Sequence, residues 1–513
     1  MITTLRNQIG LFARFTKISS LAWLWPILTG ALLPLGFAPF HQPGAAILGV
    51  AMFFAQLQRV NTKQAFKLGW LLGLGYFGVG VSWVNTSIHT YGHLHGLIAL
   101  SITSLFIAYL ALFPGLCAWI FYYLKPSCSN AFQTNLLFSS VWCLSEYLRA
   151  TCLTGFPWLM LGFGQIDTPL KFLLPLIGVY GVGFLTVLAA TCLVQAMRPL
   201  SSQIRWLALF IFILITPTSL QSIHWTQIQE KPLSVGVIQA NLSMRDKWDD
   251  RLFWKIIDYY QDHITALLDN TALIVLPESA IPVPKSYVHA LLTDLHQQAQ
   301  SAGSAILSGI PEDIEPNQDD FYNTITSLGH ASGQYRKQHL VPFGEYIPKS
   351  LEILLQWLNL PLSNMQAGMH GQPLMTAHHH PFATLICYEL AYPGLLRQQL
   401  PQAQWIVSIS DDGWFGHSLA IYQHLQMAQA TSLLSGRPQI VANNDGLSSI
   451  INPDGKITQS LPAFSPGVLK GMLYPTQGST PWILWGDWPI LGWCCIILCG
   501  VIWTRIKNKG SDI

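Results

Sequence analysis

One cysteine stands apart from the rest of this chain. Cys387 ends the apolar run 382–386 in a region of ordinary polar composition, and it is the only cysteine between residues 223 and 478. The others lie in or beside apolar stretches, where cysteine usually behaves as a small buried hydrophobic residue, at Cys117, Cys128, Cys143, Cys152, Cys192, Cys494, Cys495 and Cys499. A lone cysteine at a strand end is more often a packing residue, because a nucleophile must become a thiolate and needs a base or a positive charge beside it.

Two other residues could supply what this thiol lacks. Glu278 follows the apolar run 273–277, and Lys337 lies in a polar segment. Taken singly, such a carboxylate is more often a helix cap, and such a lysine is nearly always only solvated. Taken with Cys387, Glu278 could accept the thiol proton and return it to a leaving group. Lys337 could stabilise the oxyanion that forms on an attacked carbonyl group, with the backbone N–H of Tyr388 as a second donor.

Short β-rich runs alternate with helical stretches around these residues. The predicted strands cover residues 234–239, 272–276, 305–309, 383–387, 405–410 and 439–442. The predicted helices cover residues 251–269, 287–302 and 422–434. Alternation of this kind favours an α/β domain whose strands are buried on both faces.

The rest of the chain has the composition of a membrane protein. Only 10% of the 513 residues are charged, against about 25% in soluble proteins. Apolar stretches long enough, or nearly long enough, to cross a bilayer give about eight predicted spans, at residues 19–38, 44–58, 65–88, 97–124, 134–150, 171–197, 204–221 and 480–503. We therefore predict a helical membrane domain of about seven spans over residues 1–222, a catalytic domain over residues 223–478, and a final span with a short tail over residues 479–513.

Lysine and arginine residues fall on one side of the membrane when eight spans are counted. They include Arg14, Lys63, Lys125 and Arg505, whereas the loop 89–96 has none. The positive-inside rule then predicts that both termini face the cytoplasm and that the catalytic domain faces outward, which in a bacterium is the periplasmic side of the inner membrane. The first span lacks a clear small-residue cleavage site and is predicted to be an uncleaved anchor.

Nucleic acid and metal ions are not expected as partners. The net charge of +2 is too small to argue for nucleic acid. The cysteine and histidine spacing does not follow a zinc pattern. The adjacent histidines His378, His379 and His380 cannot all point at one ion from a regular element, and a solvated loop is the simpler interpretation.

The three candidate residues occur in local motifs that resemble those of the nitrilase/amidase superfamily, in the same order along the chain. More specifically, the chain resembles the apolipoprotein N-acyltransferase family over essentially its whole length. The motifs that carry the resemblance are the segments 337–346 and 387–389 and, in the apolar part, the segments 36–40, 76–83, 146–149 and 154–158.

This resemblance implies a polytopic α-helical membrane domain of about eight spans joined to an α/β nitrilase-like α-β-β-α sandwich. It implies the transfer of a fatty acyl chain from a phospholipid, commonly phosphatidylethanolamine, to the N-terminal α-amino group of the diacylglyceryl cysteine of a lipoprotein. The implied chemistry is ping-pong through a cysteine thioester, without a cofactor. A monomer is the simplest expectation for the assembly.

The resemblance also implies a role for each matching residue. Cys387 is the nucleophile, Glu278 the general base and Lys337 the oxyanion stabiliser. Glu345 matches a further carboxylate of the site, which either orients Lys337 or relays protons. The remaining matches to functional positions are Tyr388, Glu389, Trp248, Asn323 and Trp414.

The chain departs from the family's pattern at four positions. Asp411 and Asn443 stand where Asn and Thr are usual, and Thr431 and Leu434 stand where Arg and Glu are usual. None of the four belongs to the Glu–Lys–Cys set, so they bear on loop geometry or on the preferred acyl donor rather than on the reaction class.

Two other functions stay open on the sequence. A membrane-tethered nitrilase-type amidase would hydrolyse a C–N bond and pass the same thioester to water. A transporter or scaffold with a degenerate polar domain is the second alternative, although few charges lie within the apolar stretches to form a coupled ion pathway.

Overall fold

The computed structural model describes residues 23–58, 60–92, 94–197, 203–229, 231–314, 320–346 and 365–510. Within these residues the chain forms two compact units. One contains the residues up to His89, those of His93–Ile223 and those from Trp485 onward. The other contains Thr90–Gly92 and the residues of His224–Leu484.

The first unit is helical. Its α-helices are Leu24–Ala31, Pro43–Leu57, Thr62–Gly80, Val84–Thr86, Gly96–Leu124, Ala131–Thr151, Leu174–Ala196, Gln203–Ile215 and Trp488–Gly510. Each of the eight predicted spans overlaps at least one of these helices, and the start of the first span lies outside the described residues.

Length and apolarity support fewer membrane crossings than the eight predicted. Among the described residues, four helical segments are long and apolar enough to cross a membrane, namely Gly96–Ser127, Pro169–Ala196, Gln203–Leu220 and Trp488–Asn508. Thr62–Gly80 and Val84–Tyr91 make a fifth if this pair, bent by 61°, counts as one span. Leu24–Gly36 and Pro43–Leu57 are apolar but shorter. The described part of the unit therefore has four or five candidate membrane spans, which indicate a membrane region, and the count of eight is not confirmed.

Polar side chains hold an irregular segment inside this helical unit. Arg149, buried in the helix Ala131–Thr151, donates through Nη1 to the carbonyl oxygens of Phe156 (2.7 Å) and Trp158 (2.6 Å). Glu146, one turn earlier, accepts a hydrogen bond from the N–H of Leu161 (3.0 Å). The segments 146–149 and 154–158, which both match the family, are thus joined by hydrogen bonds. Buried backbone groups outside a helix need such partners.

The second unit contains two seven-stranded sheets. The first has the strand order Gly467–Leu473, Leu233–Gln239, Leu273–Val275, Ala305–Asp313, Phe321–Gly329 and Gln334–Arg336, with Met365–Gln366 beside Phe321–Gly329. The second has the order Ile457–Ser460, Ser449–Ile451, Gln439–Asn443, Trp405–Ser410, His380–Ile386, Met375–Ala377 and Ala331–Ser332. A separate two-stranded ribbon pairs Thr226–Ile228 with Thr476–Gly478. The described α-helices of this unit are Met244–Lys247, Phe253–Leu268, His289–Ala302, Pro393–Gln398 and Ala420–Ser435, and Pro481–Trp485 covers the point in the chain where the two units divide.

The two sheets face each other across one apolar core. Side chains from both sheets form this core, including Val235 and Leu307 from the first and Phe382 and Val407 from the second. The outer face of the first sheet is covered by the helices Phe253–Leu268 and His289–Ala302. The almost wholly buried helix Ala420–Ser435 packs on the second sheet. The predicted α-β-β-α sandwich is therefore confirmed.

One predicted strand boundary is wrong in a way that matters for the chemistry. The strand predicted at residues 383–387 is observed as His380–Ile386, and Cys387 begins a short 3₁₀ helix, Cys387–Ala391. The chain turns at Cys387, where φ is +53°. Alternating apolar residues predict the strand but cannot show where the backbone leaves it.

Candidate active site

Lys337 lies directly after the strand Gln334–Arg336 and is completely buried. Its ammonium group donates to Glu345 Oε1 at 2.5 Å and to Glu278 Oε1 at 3.4 Å. Burial alone lowers the pKa of a lysine, but the charges of Glu345 and Glu278 outweigh it and hold the pKa of Lys337 above its ordinary value. The structure therefore keeps a fixed positive charge between two carboxylates.

Glu278 follows the strand Leu273–Val275 and is 6% exposed. Its Oε1 accepts from Asn323 Nδ2 at 2.6 Å as well as from Lys337, and its Oε2 accepts from the backbone N–H of Asp411 at 2.9 Å. These donors come from three different segments and fix the carboxylate in one orientation.

A glycine on the neighbouring strand makes room for the backbone at Glu278. A Cβ atom on Gly309 would lie 2.4 Å from the carbonyl oxygen of Pro277 and 2.7 Å from Cα of Glu278. Only glycine lets the strand Ala305–Asp313 pass so close to the backbone that carries the carboxylate.

Cys387 occupies a left-handed backbone conformation that non-glycine residues seldom adopt. Strained positions of this kind persist only where the surrounding structure holds them. Burial and the charge of Glu278 raise the pKa of the Cys387 thiol well above its ordinary value, although Lys337 acts to lower it. The resting thiol is therefore protonated, and it requires a base at the moment of attack. The structure brings Cys387, Glu278 and Lys337 into one buried, electrostatically coupled cluster.

Glu345 is the second carboxylate that contacts the ammonium group of Lys337. Besides the contact with Lys337, its Oε2 accepts from the N–H of Val341 at 2.9 Å. Burial raises the pKa of Glu345, Lys337 lowers it, and Glu278 raises it again. Glu345 and Glu278 thus share one ammonium group, and the choice between orienting Lys337 and relaying protons stays open for Glu345.

Glu389 ties the turn at Cys387 to the segment that carries Lys337. Its carboxylate accepts hydrogen bonds from the backbone N–H groups of Ile386 (2.8 Å), Gln338 (2.6 Å) and His339 (3.1 Å), and from the hydroxyl of Tyr335 (3.1 Å). Burial raises the pKa of Glu389 to about 7, against the lowering effect of these donors.

This raised pKa predicts a pH-dependent contribution to stability. An exposed glutamate has a pKa of about 4.3, so between that pH and about 7 the folded state keeps a proton that the unfolded state has lost. The contribution of Glu389 is complete below pH ~4.3 and falls by about 3 kcal/mol as the pH rises to ~7. Thermal unfolding in detergent should show the advantage of wild type over Glu389→Gln shrinking over this range.

Glu312 provides a control of opposite sign. Burial raises the pKa of Glu312, but its pairing with Arg336 at 2.7 Å outweighs this, and the net pKa is lowered. The advantage of wild type over Glu312→Gln should therefore shrink as the pH falls. If the advantage over Glu389→Gln instead grew with rising pH, the proposed protonation of Glu389 would be wrong.

The other predicted residues divide into two groups. Asn323 contacts Glu278 directly, and Tyr388, which is 7% exposed, follows the thiol in the 3₁₀ helix. Trp248 and Trp414 lie instead at the surface, at 49% and 40% exposure, and not in the buried cluster.

Sequence reasoning missed Lys247, a buried lysine behind Glu278. Its ammonium group forms an ion pair with the Asp411 carboxylate and donates to the carbonyl oxygen of Glu278 at 2.7 Å. Asp411 is one of the departures from the family's pattern, and its N–H also holds Glu278 Oε2. The sequence signal for Lys247 was Asp411, a carboxylate where the family usually has an uncharged Asn. A buried carboxylate needs a partner of opposite charge, and Lys247 is that partner.

The other three departures form hydrogen bonds or pack within the domain. Thr431 bonds to the carbonyl of Met427 one turn earlier, and Leu434 is completely buried in the same helix. Asn443 accepts from the N–H of Asp412 at 3.1 Å.

Breaking the ion pair behind Glu278 should be costly. Lys247→Met leaves the buried Asp411 carboxylate unpaired and is expected to destabilise the protein by about 3–5 kcal/mol. Adding Asp411→Asn removes the unpaired charge and should recover most of that loss in thermal unfolding. Equal destabilisation of the single and double variants would show that Lys247 contributes packing and not charge.

Two family models match the two parts of the chain. The family model for the apolipoprotein N-acyltransferase N-terminal domain matches residues 29–192, and the carbon-nitrogen hydrolase model matches residues 234–475. The second match identifies the fold of the α/β unit as that of the carbon-nitrogen hydrolases.

Two curated relatives match nearly the whole chain. The apolipoprotein N-acyltransferase of Methylococcus capsulatus is 36% identical over 496 residues, covering 96% of this chain and 97% of the relative. That of Pseudomonas syringae pv. tomato is 36% identical over 500 residues, covering 95% and 98%. Among solved structures, an amidase from Nesterenkonia sp. aligns with 16% identity and a TM-score of 0.35, covering 48% of this chain and 92% of the amidase. Because the identity to the relatives extends over both units, the chain belongs to the apolipoprotein N-acyltransferase family.

Proposed function

We propose that this protein transfers a fatty acyl chain from a phospholipid to the N-terminal α-amino group of the diacylglyceryl cysteine of lipoproteins, through a thioester on Cys387. The observation that carries the proposal is the buried ammonium group of Lys337, 3.4 Å from Glu278, in a cluster with a thiol on a strained turn. Membership of the apolipoprotein N-acyltransferase family identifies the reaction that this cluster would serve.

In the first half-reaction, Glu278 accepts the thiol proton as Cys387 Sγ attacks an ester carbonyl of the phospholipid. The negative charge that develops on the carbonyl oxygen is stabilised by Lys337 and by the backbone N–H of Tyr388. The tetrahedral intermediate expels the lysophospholipid alkoxide, which takes the proton from Glu278, and the acyl chain remains as a thioester.

In the second half-reaction, the neutral α-amino group of the lipoprotein attacks the thioester. Glu278 accepts a proton from the nitrogen, the same donors stabilise the new oxyanion, and the Cys387 thiolate leaves and is reprotonated. Glu345 and Asn323 act by holding Lys337 and Glu278 in position. The product is an amide, and the enzyme returns to its starting state.

Both substrates explain why such a thiol would belong to a membrane protein. Moving an acyl chain out of the bilayer costs about 0.8 kcal/mol for each CH₂ group. An enzyme that acts on two lipids must therefore hold its thiol at the membrane surface. The long apolar helices of the first unit would anchor it there.

We further propose a topology and a set of partners. The protein would be a monomer in the bacterial inner membrane, with eight spans, both termini in the cytoplasm and the catalytic domain, residues 223–478, in the periplasm. The distribution of lysine and arginine supports this orientation. The acyl donor would be phosphatidylethanolamine and the acceptor a diacylated lipoprotein.

An acceptor assay tests the proposed function. The purified protein is incubated in mixed micelles with phosphatidylethanolamine labelled in its acyl chain and with a diacylated lipopeptide. We expect the label to appear in a triacylated lipopeptide. Release of labelled free fatty acid, without a triacylated product, would overturn the transferase proposal in favour of a hydrolase. The same assay with phosphatidylglycerol tests the head-group preference.

A further inference from the structure

A buried histidine lies behind the turn that carries the thiol. His424 belongs to the helix Ala420–Ser435 and is 2% exposed. Its Nε2 lies 3.1 Å from the carbonyl oxygen of Cys387, and its Nδ1 lies 3.1 Å from Asp412 Oδ1. The roles implied by the family resemblance include neither His424 nor Asp412.

The partners of His424 determine its protonation. A carbonyl oxygen and a carboxylate can only accept hydrogen bonds, so both ring nitrogens must donate, and the ring is an imidazolium. Burial lowers the pKa of His424, but the Asp412 carboxylate outweighs it and holds this pKa above its ordinary value. The cation is thus matched by its own counter-ion inside the domain.

Asp412 is itself held firmly. The hydroxyl of Ser410 donates to Asp412 Oδ1 at 2.6 Å, and the N–H of Asp412 donates to Asn443 Oδ1 at 3.1 Å. Both neighbours are completely or almost completely buried. The imidazolium therefore has little freedom to move away from the Cys387 carbonyl.

The hydrogen bond from His424 to the carbonyl of Cys387 also fixes the peptide group between Cys387 and Tyr388. The carbonyl of Cys387 and the N–H of Tyr388 belong to the same planar trans peptide, in which the two groups point in opposite directions. A carbonyl held toward His424 therefore directs the Tyr388 N–H to the opposite side. On the other side of the thiol residue, Glu389 Oε2 accepts from the N–H of Ile386 at 2.8 Å. The strained turn is thus held both before and after Cys387.

We propose that His424, held by Asp412, is a positioning residue that aims the backbone N–H of Tyr388 at the oxyanion formed during acyl transfer. This inference rests on the proposed function, because it assumes that Cys387 attacks a carbonyl group. His424 acts through the peptide between Cys387 and Tyr388 and does not touch the substrate.

Two reactions of the same thiol separate this role from simple support of the fold. Acylation by phospholipid passes through an oxyanion, whereas alkylation by iodoacetamide displaces iodide at a saturated carbon and forms none. A variant in which only the direction of the Tyr388 N–H has changed should be acylated more slowly and alkylated at the wild-type rate. Alkylation of the peptide that contains Cys387 is followed at the pH of the acylation assay and over a pH series, which separates a change in the pKa of the thiol from a change in its reactivity.

The full-length protein in mixed micelles is used for the experiment. Loss of one oxyanion donor costs about 10²–10³-fold, so His424→Leu should slow acyl-enzyme formation by about 10²-fold and change the alkylation rate of Cys387 by less than about threefold. His424→Gln can still donate to the Cys387 carbonyl and should recover to within about tenfold of wild type. Ser435→Ala removes a buried hydroxyl group from the same helix and is the matched control, with both rates unchanged.

The outcomes are distinguishable. If His424→Leu slowed alkylation and acylation by the same factor, or slowed neither, the positioning role would be overturned while the proposed function stood. If wild type were alkylated at Cys387 but formed no acyl-enzyme under turnover conditions, the proposed function itself would fail, and this inference with it.

Discussion

Cys387→Ala is expected to abolish acyl transfer, with a fall in turnover of about 10⁴–10⁶-fold, as for other enzymes that lose a covalent nucleophile. The variant keeps the β-carbon and the surrounding hydrogen bonds, so the turn at residue 387 should survive. The rate of triacylated lipopeptide formation from labelled phospholipid measures the effect.

A second cysteine provides the control for this prediction. Cys499 is exposed in the helix Trp488–Gly510, and Cys499→Ala should leave turnover unchanged. Turnover by Cys387→Ala within tenfold of wild type would remove the thioester on Cys387 from the mechanism, and another group would have to carry the acyl chain.

Lys337→Met is expected to lower the rate of acyl-enzyme formation by about 10³-fold, because it removes a cationic donor from the developing oxyanion. The loss extends beyond the missing contact. Without the ammonium group, the buried carboxylates of Glu278 and Glu345 repel each other, and one of them binds a proton. The variant should also be less stable than wild type by about 3–5 kcal/mol.

Single-turnover acylation and thermal unfolding check these two effects separately. Lys470→Met is the matched control, because Lys470 is exposed on the strand Gly467–Leu473 of the same unit. If Lys337→Met acylated within tenfold of wild type, the oxyanion would need another cation, and the role proposed for this lysine would be wrong.

Local patterns along the chain predict three neighbouring strands of each sheet and the long helices of the α/β unit, but not the other strands, which include the interior strand Phe321–Gly329. The six predicted strands are all present, and the predicted helices at 251–269, 287–302 and 422–434 appear as Phe253–Leu268, His289–Ala302 and Ala420–Ser435. These elements depend on hydrophobic periodicity within a short window, which a single sequence displays directly. The edge strands Gly467–Leu473 and Ile457–Ser460 lack this pattern, because one or both of their faces are partly exposed.

The buried charges behind the site could not be found in the same way. Lys247 resembles any solvated lysine in sequence, and only its pairing with Asp411, far along the chain, buries it. His424 likewise becomes informative only when its helix lies against Cys387 and Asp412. In the helical unit the apolar helices are easy to recognise from the sequence. Which of them cross the membrane does not follow from length and composition alone.

The most direct test of a thioester on Cys387 is mass spectrometry of the protein after incubation with phospholipid in the absence of an acceptor. We predict a mass increase of the size of a palmitoyl group, located on the peptide that contains Cys387, which disappears when a diacylated lipopeptide is added. Cys387→Ala should acquire no such adduct. A wild-type enzyme that forms triacylated product but carries no acyl group on Cys387, or carries it on another residue, would contradict the account.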